Sequence, residues 1–224
     1  MLSGRSKWRK HVGSGSMNDD YDVEAKLAKL KRMIGYNVTH SRIHRDLPGH
    51  SHLHRIFRGA RLDRRELGID CDEVYPNIFV GNEGSARNKN YLKLIGVTHV
   101  LNTAEGTHFS QIDTGAHYYS DVHIKYMGLN LIDIESTRIS IHFGETSEFI
   151  DRALLSGGRV MIHCYMGLSR SSTIALAYLM IKKGMTVEEA LRTVRQSRAV
   201  RPNDGFLRQL IDLEIRIRTS GGFR

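Results

Sequence analysis

An α/β domain with a central, mostly parallel sheet flanked by helices, set behind a basic N-terminal extension, is the architecture the 224 residues imply. Two patterns carry that expectation. Short apolar runs alternate with segments of helical period over about 150 residues, as parallel strands joined by helical crossovers do. Residues 171–183 are also apolar almost all round, with Ile174, Leu176, Tyr178, Leu179, Met180 and Ile181, which marks a buried helix. At 40% hydrophobic residues the chain has material for a packed core.

The elements follow in chain order. Val23, Leu27, Leu30 and Ile34 recur at helical spacing and predict an amphipathic helix over 21–34, whose other face carries Lys26, Lys29, Lys31 and Arg32. Residues 77–81 read as a short strand after Pro76. Residues 85–95 read as a helix stopped by Gly96, 97–101 as a buried strand, and 122–126 as another. A helix over 139–155 places Phe143, Ile150, Ala153 and Leu154 on one face and closes at Gly157 and Gly158. Val160, Met161 and Ile162 form a further apolar strand, and the buried helix behind it ends at Gly184. Thr186 and Glu189 have capping-box spacing and open a helix with Val187, Ala190, Leu191 and Val194 inward. Asn203 or Asp204 caps the last helix, which carries Phe206, Leu210, Leu213 and Ile217. Three segments result: a flexible basic leader over 1–20 with a Gly/Ser linker at 13–16, a basic extension over 21–70, and a globular domain over 71–220.

The formal charge is +9, and residues 1–70 hold 15 basic against 8 acidic residues, so the leader and extension together carry +7 of it. The cationic face of the helix over 21–34 reads either as a solvated face or as one that attracts acidic partners or an anionic membrane surface. No basic motif interleaved with aromatics points to nucleic acid. No run of about 18 apolar residues predicts a membrane span, and no apolar stretch behind the basic start predicts a secretory signal. Cys71 and Cys164 are too few and too far apart for a disulfide framework or a thiolate-rich metal site, and fit a reducing compartment, cytoplasm or nucleus. His50, His52 and His54 have no Cys or carboxylate at ligand spacing, so no metal is expected there.

The chemistry concentrates in His163-Cys164-Tyr165-Met166-Gly167-Leu168-Ser169-Arg170-Ser171, between an apolar strand and the buried helix. A strand feeding a tight loop that opens into a helix lets backbone N–H groups and the positive helix end converge on one point. Such a nest binds a tetrahedral dianion. Gly167 permits a backbone conformation closed to other residues, and Arg170 can hold two phosphate oxygens through its planar fork. A thiolate at a helix start near cations has a pKa lowered to roughly 3.5–7.5, so Cys164 is the candidate nucleophile, forming a phosphocysteine. An acid must protonate the leaving oxygen. Among Asp113, Asp121, Asp133 and Glu135, Asp133 stands just past the apolar stretch 124–132, where a mobile loop could bring it over the pocket, and the same carboxylate could then activate water. Ser169 and Ser171 place hydroxyls near the sulfur, Ser171 to stabilise the departing thiolate. His163 could orient the loop by hydrogen bonding.

These residues resemble the His-Cys-x5-Arg-Ser signature of the cysteine-dependent protein tyrosine phosphatase superfamily, and more narrowly the small atypical dual-specificity phosphatases of the VHR type. The likeness runs over about 72–218 and includes Tyr75-Pro76-Asn77-Ile78-Phe79-Val80-Gly81-Asn82, Val100-Leu101-Asn102-Thr103-Ala104-Glu105-Gly106, Tyr126-Met127-Gly128-Leu129 and Pro202-Asn203-Asp204-Gly205-Phe206. It implies Cys164 as nucleophile, Arg170 as phosphate clamp, Asp133 as general acid, Ser171 as thiolate stabiliser and Asn203 as a support of the loop. It also implies substrate contacts from residues 165–170, Tyr165, Met166, Gly167, Leu168 and Ser169 among them, and from Glu105. Arg198 and Arg201 fall where relatives meet a second phosphate. The implied activity is hydrolysis of phosphotyrosine and phosphothreonine or phosphoserine in proteins, with protein kinases such as MAP kinases as candidate substrates, and with no metal or cofactor. Tyr165 and Met166 depart from the acidic residues of relatives, and Leu168 from an aromatic, which touches substrate preference. The leader is too short for a rhodanese-like kinase-docking domain. A lipid or RNA 5′-phosphatase on the same scaffold is the alternative enzyme, but residues 165–169 hold no lysine and the loop ends Arg170-Ser171-Ser172. A non-catalytic phosphopeptide-binding scaffold is the other alternative; such relatives typically lose the cysteine that is present here.

Overall fold

A computed structural model describes residues 22–35 and 68–221. The linker at 13–16 and the histidine-rich stretch 40–65 lie outside the described residues. Five short strands form one sheet in the order β1-β2-β5-β3-β4: β1 Cys71–Tyr75, β2 Ile78–Gly81, β3 His99–Asn102, β4 Lys125–Gly128 and β5 Val160–His163. β1 runs antiparallel to β2, and every other pairing is parallel. The helices are α1 Val23–Gly35, α2 Glu83–Arg87, α3 Lys89–Leu94, α4 Phe143–Leu155, α5 Arg170–Lys183, α6 Val187–Arg195 and α7 Asp204–Thr219.

Strand periodicity sorts the core into two layers. Ile78, Val80, Leu101, Val160 and Ile162 face the larger cluster, with α1 and α4 to α7. Phe79, Val100 and Met161, the alternate residues on the same strands, face the smaller one with α2, α3 and Tyr119. α5 lies in the larger layer and is buried from Arg170 to Met180. Its freedom from any polar face is what lets strand β5 discharge straight into the middle of the domain.

Several elements differ from expectation. The helix expected over 85–95 is two short helices, because Asn82 and Asn88 each cap one, their side chains accepting from the Ser85 and Tyr91 amides at 3.0 and 2.9 Å. The strand expected at 122–126 begins only at Lys125, since Ala116–Val122 is a 3₁₀ helix and His123 turns at φ 55°. The helix expected over 139–155 opens with a 3₁₀ turn, Ile139–His142. β1 has no counterpart among the expected strands: Asp72 and Glu73 interrupt its apolar pattern, as an edge strand tolerates. The Thr186–Glu189 capping box forms in full, and Asn203, not Asp204, caps α7.

α1 packs on α6 and α7. Leu27 and Leu30 are buried in the larger core, each burial contributing about 1.5–3 kcal/mol. Lys26 and Lys29 reach Glu188 at 2.9 and 2.5 Å, Lys31 reaches Asp204 at 2.5 Å, and Glu24 accepts from Arg208 at 2.5 Å. The lysine face read as solvated or partner-seeking is therefore occupied by this chain's own carboxylates. Among the described residues no helix is long and apolar enough to cross a membrane.

Candidate active site

β5 ends at His163, α5 starts at Arg170, and residues 164–169 wrap between them. Their carbonyls are held from outside the loop. The Glu83 amide donates to the Tyr165 carbonyl at 3.1 Å. Arg198 donates to the carbonyls of Met166 and Gly167 at 3.1 and 2.7 Å, and the Arg201 amide to that of Leu168 at 2.8 Å. A trans peptide directs its N–H opposite to its C=O, so pulling these carbonyls outward turns the intervening amides inward. The Gly167 amide meets Cys164 Sγ at 3.2 Å, and the Ser171 hydroxyl stands 3.3 Å from the same sulfur. Cys164 is buried, against Ala104 and Ile112.

Gly167 makes this winding possible. Its φ is +68°, and a methyl group there would lie 2.5 Å from the Gly81 carbonyl oxygen and 2.8 Å from Arg198 Nη2. Gly167→Ala combines left-handed strain with overpacking, and is expected to cost about 2–4 kcal/mol. Displacement of the amides by an ångström lowers kcat by about 10²-fold. Urea unfolding and steady-state hydrolysis of p-nitrophenyl phosphate measure the two effects; a variant as active as wild type refutes the role given to this turn.

Arg170 is buried, its Nη1 donating to the carbonyls of Leu131 and Ser110 at 2.9 and 3.1 Å. Its Nε has no hydrogen-bond partner and lies 3.4 Å from Asp133 Oδ2. Asp133 Oδ1 accepts from Ser169 Oγ at 2.7 Å and Asn203 Nδ2 at 2.9 Å. Asn203 is thus shared, because its Oδ1 accepts from the Phe206 amide to cap α7 while its amide group holds Asp133. Gly205 lets the chain pass this close, since a methyl group there would sit 2.0 Å from the Glu135 carbonyl oxygen. Asp133 is therefore tethered beside Arg170 rather than waiting to be swung in.

The structure brings Cys164, Arg170, Ser171, Asp133, Asn203 and Gly167 together. Ser169 differs from expectation: its hydroxyl faces Asp133, not the sulfur. Arg198 is not free for a second phosphate. It is buried, with Nη1 on Asp70 and Asp72 and Nη2 on Asp70, all at 2.8 Å. Burial alone would lower its pKa, but Asp70 and Asp72 raise it, and it serves as the peg that holds the loop. Arg201 is exposed at the rim. Glu105 turns toward β4, accepting the Tyr126 hydroxyl at 2.9 Å and lying over Gly128. Tyr165 and Met166 are exposed at the mouth, 41% and 60%, beside Phe109 at 94%, whose ring centroid is 6.5 Å from that of Tyr165.

His163 is buried, and neither ring nitrogen has a partner, so the orienting hydrogen bond expected of it is not made. Burial first, then the charges of Arg87 and Arg170, lower its pKa to about 3. The unfolded chain takes up a proton below about 6.5 that the folded chain refuses. Stability from this residue therefore falls with pH from 6.5 toward 3, by about 1.4 kcal/mol per pH unit. Urea titrations at pH 6.5 and 5.0 should differ by about 2 kcal/mol less in His163→Asn than in wild type; identical differences would contradict the neutral assignment.

Sequence reading missed the carbonyls of Ser110 and Leu131, which carry no side-chain signature, and Phe109. It also missed Asp70 and Asp72, one just before and one within the unexpected strand β1.

A family model, the dual specificity phosphatase catalytic domain, matches residues 78–216. Dual specificity protein phosphatase 13B of Mus musculus is 43% identical over 152 residues, which span 67% of this chain and 76% of that protein. Among solved structures, the human tyrosine phosphatase-like serine/threonine/tyrosine-interacting protein matches with a TM-score of 0.55 and 29% identity, covering 66% of this chain and 97% of that one. The Yvh1 phosphatase domain from Chaetomium thermophilum matches at 0.56 and 29%, covering 68% and 97%.

Proposed function

The chain belongs to the dual specificity phosphatase family and is a phosphatase hydrolase, and from that premise we propose that it removes phosphate from phosphotyrosine and from phosphothreonine or phosphoserine in proteins through a phosphocysteine on Cys164. The observation that carries this is the convergence on one sulfur of the Gly167 amide and the Ser171 hydroxyl, beside the paired Arg170 and Asp133. In the first step the sulfur attacks phosphorus as the bond to the leaving oxygen breaks, and Asp133 gives that oxygen its proton. The loop amides and Arg170 bear the charge on the equatorial oxygens, a stabilisation available only where such donors are already fixed. In the second step the Asp133 carboxylate takes a proton from water, the water oxygen bonds phosphorus, and the S–P bond breaks. The electron pair returns to sulfur, where Ser171 donates a hydrogen bond to it.

Kinase activation segments, MAP kinases included, are the proposed substrate class. The exposed side chains of Tyr165, Met166 and Phe109 support contact with an extended peptide. Incubation with phosphotyrosine and phosphothreonine peptides, acid quench and peptide mass spectrometry tests the mechanism. A phosphoryl adduct on Cys164 and turnover of both peptides are expected. Turnover with the phosphoryl group on another residue, or with none trapped under fast quench, would overturn it.

A further inference from the structure

Between the C-terminal half of α1 and α6 lies an open cleft of about 540 Å³, lined by Lys29, Arg32, Met33, Arg192, Arg195 and Gln196. Its cations are not equivalent. Lys29 is paired with Glu188, and Arg195 donates to the carbonyls of Val200 and Ile34 at 2.8 and 3.2 Å. Arg32 and Arg192 are exposed, and neither lies within ion-pair distance of a carboxylate among the described residues, although the Arg192 charge is felt by Glu189, one turn earlier on the same helix. Lys26, Lys29 and Lys31 of the same helix are all met by carboxylates, so Arg32 stands out as charge left for something else. The lining is mainly apolar, supplied by Met33 and the aliphatic stems of the long side chains. This cleft is apolar within and cationic around.

The cleft also connects to the phosphate loop. Arg195, which lines the cleft, donates to the carbonyl of Val200, and the amide of the next residue, Arg201, holds the Leu168 carbonyl of the loop.

We propose that this cleft docks an acidic segment of the phosphoprotein substrate that carries an apolar anchor side chain, engaging it apart from the phosphorylated residue. This rests on phosphoproteins being the substrates. The anchor fills the space beside Met33, and its flanking carboxylates meet Arg32 and Arg192. Residues 36–67 of this chain are a poor occupant, since they hold seven arginines against three acidic residues and repel the rim. A lipid surface is disfavoured by the concave shape, because interfacial binding needs an apolar face that can enter the bilayer boundary.

The test uses the full-length chain and a fluorescent, unphosphorylated peptide of alternating Glu and Leu, with binding read by anisotropy. Arg32→Glu/Arg192→Glu should raise Kd about tenfold, and salt should weaken wild-type binding. A peptide with Ser in place of Leu should bind about as weakly as the wild-type peptide binds the variant. Hydrolysis of p-nitrophenyl phosphate by the variant should stay within about twofold of wild type, whereas kcat/KM for a phosphopeptide bearing the acidic segment should fall about tenfold through KM. Thermal melting checks the fold, and Arg192→Gln serves should the double variant melt early. Equal peptide binding by wild type and variant, or equal binding of the Leu and Ser peptides, overturns the proposal. So does binding confined to phosphatidylserine vesicles, or peptide binding that appears only once residues 36–67 are deleted. Peptide docking without p-nitrophenyl phosphate turnover would keep the cleft and remove the phosphocysteine mechanism.

Discussion

Cys164→Ser is expected to lower turnover of any phosphomonoester by about 10⁵-fold or more, the scale on which hydrolases lose rate when a nucleophile working as part of a unit is removed. The substitution changes one atom and little else. The Gly167 amide and Ser171 hydroxyl still point at position 164, and the loop is still pegged by Arg198, Arg201 and Glu83. A hydroxyl is a far weaker acid than a thiol and attacks phosphorus poorly without a base. Nothing beside the sulfur acts as one, because His163 is neutral with no partner and Asp133 is directed to Ser169, Asn203 and Arg170. Phosphate recognition survives, so the variant should hold phosphopeptides at close to wild-type Kd. Since catalytic groups acting in concert are not additive, Cys164→Ser/Asp133→Asn should be scarcely slower than Cys164→Ser. Stopped-time hydrolysis and equilibrium binding measure both. A serine variant retaining more than about one part in 10² of the activity would show that the rate comes from elsewhere.

The site was legible where its chemistry is contiguous and obscure where it is assembled from a distance. Cys164, Gly167, Arg170 and Ser171 belong to one strand–loop–helix passage, so residue types and spacing suffice to bring them out. Asp133 and Asn203 were legible separately, one by standing at the end of an apolar stretch and the other as a cap, though that the cap also holds the carboxylate was not. Arg198 misled because an arginine near a helix end reads as exposed; its partners Asp70 and Asp72 lie well over a hundred residues away, on a segment whose acidic residues hide its strand character. Arg170 likewise rests on two carbonyls, and backbone acceptors leave no mark in composition. The fold shows the same division. The buried helix and the capping box follow from local pattern, and so does the break at Asn88, a second cap that the apolar pattern masked, while the late start of β4 follows the register of a parallel sheet, with Lys125 opposite His99.

Asp133→Asn is expected to lower kcat by about 10²–10⁴ on phosphotyrosine and phosphothreonine peptides, the usual contribution of a positioned acid or base. Asparagine is the informative replacement because its Oδ1 can still accept from Ser169 Oγ and Asn203 Nδ2, the bonds that fix the segment. Alanine would leave both donors unanswered and loosen the start of α7, mixing lost chemistry with lost structure. With the scaffold kept, the deficit should track the leaving group. A p-nitrophenolate departs with little help, so its loss should be small. An alkoxide from phosphothreonine needs its proton as the bond breaks, so its loss should be the largest. A series of aryl phosphates should therefore give a steeper dependence of log(kcat/KM) on leaving-group pKa in the variant. Asp133 also lies 3.4 Å from Arg170 Nε, so part of any loss could come from a misplaced guanidinium. That part would fall on every substrate alike and raise KM. A loss uniform across leaving groups would therefore assign Asp133 to holding Arg170, and the proton would have to come from another group.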